Sequence, residues 1–135
     1  KLIIKNPKIL FNRQLRNIKF HFDLMHGENN LNKAIDLLDE KNRNGFRTYV
    51  NSMEYFHPHN MFICKSKNLL SNYYQTIFPW FEKCEKIFPF EKLYGYDFTR
   101  IYGFLAERFL SYWFQKNANC KTMNITFYDI RKEIK

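Results

Sequence analysis

The chain has 135 residues, of which 45% are hydrophobic and 26% charged, enough for one compact domain but too few for two independent cores. Its three cysteines form no CxxC pair, which argues against a disulfide framework and a zinc site and favours a reducing compartment. No apolar run approaches the roughly 18 residues of a membrane span, and the apolar patch near the N-terminus is too short for a signal peptide. We therefore expect a protein that acts in the cytoplasm.

The net charge of +9 is concentrated at the N-terminus, because the first six charged residues are all basic and leave only +3 for the rest of the chain. These six are Lys1, Lys5, Lys8, Arg13, Arg16 and Lys19. Such a segment can be simply solvated, can follow nucleic-acid phosphates, or can face a phosphorylated substrate or an anionic membrane surface at the inner membrane face. No helix-turn-helix, RRM or zinc-finger pattern follows it, so we expect no nucleic-acid partner.

The first half of the chain predicts one strand and two helices. The run KLIIK, residues 1–5, is typical of a strand. Residues 28–45 predict a single helix that Gly45 closes as a C-cap glycine, and residues 46–56 predict a second, short helix. The residues of the first helix that fall on one apolar face are Leu31, Ala34, Ile35 and Leu38.

The second half predicts a strand, two helices and an extended end. The apolar run NMFICK, residues 60–65, is the best interior strand candidate. Residues 66–88 predict a long amphipathic helix kinked at Pro79, and a further helix is expected from about Phe98 to Gln115. Residues 121–130 are expected to form a strand or an extended tail. The apolar stripe of the long helix comprises Leu70, Tyr73, Ile77, Phe81, Cys84 and Phe88.

Glu107 and Arg108 stand side by side in the apolar run YGFLAERFLSYWF, residues 102–114. Arg108 points about a third of a helical turn away from Glu107, so we expect the two not to pair along the helix. Each then needs another partner, because a buried unpaired charge costs on the order of several kcal/mol. Glu107 either accepts hydrogen bonds from a loop backbone or from Arg100, or faces a ligand cleft as a general base beside the open space left by Gly103.

Two pairs of histidines lie close together in the sequence and are candidate metal ligands. His57 and His59 have the i, i+2 spacing that puts two side chains on one side of an extended segment, but no third ligand is evident. Surface exposure or hydrogen bonds to the backbone are the simpler interpretation of this pair. His21 and His26 are spaced i, i+5 and miss the i, i+4 register of a helical metal site, so no metalloprotease motif is predicted.

Several segments carry a resemblance to a known family: Asn60–Ile63, Ile77–Trp80, and Arg100 followed by Gly103–Phe109. Together they resemble the C-terminal half of a bacterial glycosyltransferase-like domain family that occurs in gene clusters for capsular and other cell-surface polysaccharides. The family tends to carry Asp where this chain has Asn30. Because the N-terminal half of the family domain has no counterpart, we expect one domain, residues 1–135, that is the C-terminal part of a larger one.

The resemblance implies an α/β fold, mainly helical with a few short strands, like the later portion of a GT-A-like nucleotide-sugar transferase. It implies transfer of a sugar from a nucleotide-sugar donor to a glycan acceptor, with or without a divalent metal ion. On matched positions, Glu107 is the candidate base for the acceptor hydroxyl, and Arg100 and Arg108 position phosphates or the glutamate. The other expected substrate-binding residues are Asn60 and His59, on the acceptor side, and His26.

Other classes of function stay open at this point. The chain could be a noncatalytic helical binding module of a larger surface-polysaccharide protein, and steeply salt-dependent binding to oligonucleotides would indicate a nucleic-acid-binding protein. The aromatic side chains of Tyr102, Tyr112 and Trp113 could stack on sugar rings or could belong to the core. An incomplete domain would leave an apolar face or a sheet edge uncovered, so we expect a homodimer.

Overall fold

A computed structural model of the protein describes residues 16–124, and this part of the chain folds into helices joined by short connections. The N-terminal helices α1, α2 and α3 pack against one another, and the long C-terminal helix α6 packs against both α3 and α4. The helices are α1 (Ile18–His26), α2 (Asn30–Asp36), α3 (Glu40–Ser52), α4 (Lys67–Cys84), α5 (Tyr96–Thr99) and α6 (Ile101–Asn117), with a 3₁₀ turn at Phe90–Lys92. None of these helices is both long and apolar enough to cross a membrane.

The expected α/β, GT-A-like fold is wrong, because residues 16–124 contain no strand. The run predicted as an interior strand, residues 60–65, begins at a turn and pairs with no strand within residues 16–124. Its apolar side chains lie mostly on the surface, with Ile63 85% exposed, so a short apolar run here does not mark a buried strand. The predicted strand at residues 1–5 lies outside the described residues, as do Lys8, Arg13 and most of the predicted C-terminal strand.

The helix predicted over residues 28–45 is in fact two helices, and Gly45 is not its C-cap. The break lies at Leu37–Asp39, where the Asp39 carboxylate accepts the backbone N–H of Asn42 at 3.1 Å and begins α3. This N-cap bond satisfies a backbone donor that would otherwise lack a partner, which favours a helix start at this point. Gly45 therefore lies inside α3, which runs on through much of the predicted second helix. The predicted apolar face is confirmed, since Leu31, Ala34, Ile35 and Leu38 are all fully buried.

The predicted long helix is confirmed as α4, although it ends at Cys84 rather than at Phe88. Pro79 lies within it. Tyr73, Ile77 and Cys84 are buried as the spacing predicts. Trp80 joins them, and its indole N–H donates to the carbonyl oxygen of Ala34 at 2.7 Å, which links α4 to α2 inside the core.

The core is built around α6, which begins at Ile101 because Arg100 separates it from the short helix α5. The Phe109 ring lies 5.2 Å from that of Phe46 on α3 and 5.0 Å from that of Trp80 on α4. These centroid distances are typical of favourable aromatic pairs. Tyr112 and Trp113 are also buried, which supports a place in the core for these two side chains rather than stacking on a sugar ring.

Gly45 provides a test of this packing. A Cβ atom at this position would overlap the hydroxyl of Tyr112, whose ring is fixed between Phe46 and Phe109. We expect Gly45→Ala to lower the free energy of unfolding by about 1–3 kcal/mol, although alanine has the higher helix propensity. Urea denaturation would measure the change. In a Tyr112→Phe background the same substitution should lower the free energy of unfolding by markedly less. An equal loss in both backgrounds would contradict this account.

Candidate functional site

One stripe of α6 holds the loop of residues 57–60. Residues 103, 107 and 111 follow one another at four-residue spacing and therefore lie along one side of the helix. The backbone N–H of His59 donates to Oε1 of Glu107 at 3.0 Å, and that of His57 donates to Oγ of Ser111 at 2.8 Å. Of the two expectations for Glu107, hydrogen bonding to a loop backbone is the one seen. The sequence already indicates Ser111, because it lies one helical turn after Glu107 on the same face of the predicted helix.

The loop itself has an uncommon backbone conformation. His59 and Asn60 both have positive φ angles, of 74° and 50°, in the left-handed region that non-glycine residues rarely adopt. Each such residue costs on the order of 1 kcal/mol and persists only where its surroundings hold it. The Asn60 side chain helps to stabilise this conformation, because its Nδ2 donates to the carbonyl oxygen of Gly103 at 3.1 Å. Nothing fills the space where a Cβ of Gly103 would lie.

Arg108 is almost fully buried, with 1% of its surface exposed, and its guanidinium is bound by three groups. Nη1 donates to the carbonyl oxygen of Phe104 at 3.0 Å and lies 3.3 Å from Oε2 of Glu107. Nη2 lies 3.2 Å from Nδ1 of His21, on α1. The expectation that Glu107 and Arg108 do not pair is therefore wrong, since the long arginine side chain turns back toward its neighbour.

Aromatic rings complete the surroundings of this guanidinium. Its carbon atom lies 4.3 Å from the centroid of Phe56 and 5.2 Å from that of Phe22, within the range of cation–π attraction. Nε of Arg108 has no hydrogen-bond partner among the described residues. Burial lowers the pKa of Arg108 to about 10, against the opposing effect of Glu107, so the guanidinium stays charged at neutral pH.

His26 occupies a buried position on the other side of Phe104. Its ring stacks on the Phe104 ring with centroids 4.0 Å apart, and only 3% of the residue is exposed. Nδ1 of His26 lies 3.9 Å from Oδ1 of Asp97, too far for a hydrogen bond. Burial, together with the nearby Arg108 charge, lowers the pKa of His26 to about 4, so the imidazole is neutral at neutral pH.

Arg100, the last of the expected site residues, is exposed and stays apart from Glu107. Its guanidinium donates to the hydroxyl of Tyr96 and lies 5.6 Å from the centroid of Phe104. The structure thus brings Glu107 together with His59, Asn60 and Arg108. His26 is linked to this group through the rings of Phe104 and Phe22, and Arg100 through the ring of Phe104. Phe104 and His21 were missed as site residues, and His21 gave no sequence signal because it lies 87 positions from Arg108.

The described residues provide little for a metal ion or a deep ligand pocket at this site. Within residues 16–124, no three His, Cys, Asp or Glu side chains are arranged to hold a metal ion. Two surface grooves, of about 560 and 460 Å³, lie on α4 and beside residues 87–93. Neither is lined by Glu107, His59 or Asn60.

Comparison with known proteins gives one family. Residues 1–118 match the model of a family described as a domain of unknown function (DUF4422). No curated protein and no solved structure matches the chain.

The buried guanidinium provides a test of what holds this region together. Arg108→Ala would leave the Glu107 carboxylate, only 13% exposed, without its cation, and would open a cavity among the rings of Phe22 and Phe56. We expect the free energy of unfolding to fall by about 3–5 kcal/mol, measured by chemical denaturation. Arg100→Ala, at an exposed arginine, is the matched control and should change stability little. Equal effects of the two substitutions would contradict the assigned role.

The low pKa of His26 predicts how stability depends on pH. In the unfolded chain this histidine titrates near 6.5, and in the folded protein near 4, so acid favours the unfolded state between these values. Stability should be unaffected by His26 above pH 6.5 and should fall as the pH drops toward 4, by up to about 3 kcal/mol. His26→Phe keeps a ring on Phe104 and removes the titration. Thermal unfolding between pH 7.5 and about 4.5 should show a shallower loss for this variant than for the wild type.

Proposed function

We propose that this chain, which belongs to the DUF4422 family, a domain of unknown function, is part of a glycosyltransferase of surface-polysaccharide synthesis. In this proposal the protein transfers a sugar from a nucleotide-sugar donor to a cell-surface polysaccharide acceptor in the cytoplasm. The family resemblance of Asn60–Ile63 and Gly103–Phe109 is the starting point. The basic N-terminal segment would suit an anionic membrane surface on which a lipid-bound acceptor is presented.

One observation carries the proposal: the two segments with the family resemblance meet in space. Asn60 binds the backbone of Gly103, and the backbone of His59 binds the carboxylate of Glu107, although these residues are 43 and 48 positions apart in the chain. Backbone strain of the kind seen at His59 and Asn60 clusters at functional sites, and here it occurs in a polar contact between residues distant in sequence. The contact between His59 and Glu107 also places a carboxylate beside an exposed loop.

Glu107 is the residue that would act on the acceptor hydroxyl. A general base must lie within hydrogen-bond reach of the proton it removes. Here Oε1 is occupied by the N–H of His59, so an acceptor hydroxyl would take the place of this N–H when it binds. Arg108 is buried and holds Oε2, so its proposed role is to position the carboxylate rather than to contact phosphates.

Arg100 is the better candidate for phosphate binding. It is exposed, and its guanidinium is held beside the ring of Tyr96, which is itself 65% exposed. An arginine offers several donors in a fixed geometry to phosphate oxygens, and an exposed aromatic ring can stack on a sugar or a base. Asp97, whose side chain is 44% exposed, would then contribute to the same surface, whereas the buried His26 would support it from inside.

A second candidate is a noncatalytic glycan-binding module, and a specific observation favours it. Both carboxylate oxygens of Glu107 are engaged within the protein, by His59 and by Arg108, and no groove described above reaches them. In this alternative Glu107 only holds the loop. The catalytic part would then lie elsewhere in the protein that carries the chain.

The deciding experiment is sugar transfer by the full-length protein with a panel of nucleotide sugars and glycan acceptors from the producing cell. Glu107→Gln keeps an oxygen for the His59 N–H but removes the base, so we expect transfer to fall by about 10²–10⁴-fold in a folded variant. Glu91→Gln, at an exposed glutamate, is the control. Unchanged transfer would make Glu107 structural, and glycan binding without transfer by any donor would favour the binding module.

A further inference from the structure

The outward face of α4 carries an apolar groove that no other described part of the protein covers. The inward face buries Tyr73, Ile77 and Trp80, so the groove of about 560 Å³ lies on the opposite side of the helix. Its most apolar part contains Tyr74, 41% exposed, and Phe78, 56% exposed. Large aromatic side chains aligned on one exposed face are typical of an interaction surface.

The lining residues of the groove follow one regular stripe of α4, which a second copy of the same helix can face. Its eight lining residues lie in four pairs placed equally far on either side of the point between Tyr74 and Gln75. A two-fold axis through this point, perpendicular to α4, would therefore place the stripe of one copy on the same stripe of another. In that arrangement Ser71 faces Phe78 of the second copy, and Leu70 faces Pro79. Any regular stripe on one helix has this spacing, so the spacing permits a two-fold dimer, and the charges at the two ends of the stripe favour it.

The charges at the two ends of the stripe are complementary in the same arrangement. Lys67 begins the stripe and Glu82 ends it, and neither has an ion-pair partner within residues 16–124. Two antiparallel copies would bring each Lys67 opposite the Glu82 of the other. A parallel arrangement would instead put lysine against lysine and glutamate against glutamate.

The helix dipole favours the antiparallel arrangement too. In a single copy, Lys67 lies at the positive N-terminal end of α4, and Glu82 lies in its last turn, near the negative end. Both charges are therefore on the unfavourable side for an isolated helix. Beside an antiparallel second copy, each of them lies next to the end of opposite sign.

From these observations we propose that the α4 groove is the interface of a homodimer in which two α4 helices pack antiparallel. The inference does not depend on the proposed sugar transfer. The stripe is about 22 Å long, since it spans fifteen residue steps along a helix. One helix pair of this length forms an interface at the small end of the range for specific complexes, so the dimer is weak and forms in a concentration-dependent manner.

Charge reversal tests both the interface and its orientation. In the full-length protein, Lys67→Glu or Glu82→Lys alone should weaken the dimer at least about tenfold, because each creates two like-charge contacts. The double variant should restore the wild-type dissociation constant. An equimolar mixture of the two single variants should also restore it, because both ends of the mixed dimer pair a glutamate with a lysine. Sedimentation velocity over a range of concentrations measures all of these.

Apolar substitutions provide the matched control. Phe78→Ser should abolish the dimer, whereas Phe90→Ser, at a phenylalanine that is 60% exposed on another surface, should leave it intact. A wild-type protein that stays monomeric at every concentration would overturn the proposal and leave the groove for a different partner. A dimer that survives both single charge reversals would overturn the assignment to α4, as would a double variant that fails to recover while circular dichroism shows it folded.

Discussion

The burial of the Arg108 guanidinium is the interaction on which the arrangement of the C-terminal half depends. A charge in this position is tolerated only because several elements each supply something to it: a carbonyl and a carboxylate from α6, an imidazole from α1, and the ring of Phe56 from the segment after α3. These partners come from three parts of the chain. The cation therefore helps to fix the relative positions of α1, α6 and the segment after α3.

This arrangement gives Glu107 two neighbours of different kinds. Arg108 holds one oxygen from inside the protein, and the loop of residues 57–60 holds the other from the surface. The inner contact stabilises the fold, because without it two largely buried charges would lose their ion pair. The outer contact, to a loop with two left-handed residues, is the one that a ligand could replace at lower cost. In the proposed function, structural and chemical roles would be divided between the two oxygens of this carboxylate.

The sequence predicted what depends on local periodicity and failed where distant residues decide. Helical spacing identified the buried faces of α2 and α4, because a face is set by a few neighbouring residues. Gly45 was misassigned as a cap because its reason for being glycine, the Tyr112 hydroxyl, lies on another helix. The prediction of a strand at residues 60–65 was wrong, because an apolar run does not reveal whether another strand is available to pair with it. The meeting of His21 with Arg108 could not be inferred from spacing at all.

The hydrogen bond from the His59 amide to Glu107 has a consequence for observing this region in solution. A backbone amide that donates to a carboxylate exchanges its hydrogen with water only when the bond opens. The loop of residues 57–60 is exposed on its outer side, so the opening needs no unfolding of the core. The exchange rate of this single amide thus reports how often the carboxylate is released, in the protein at rest and without knowledge of any substrate.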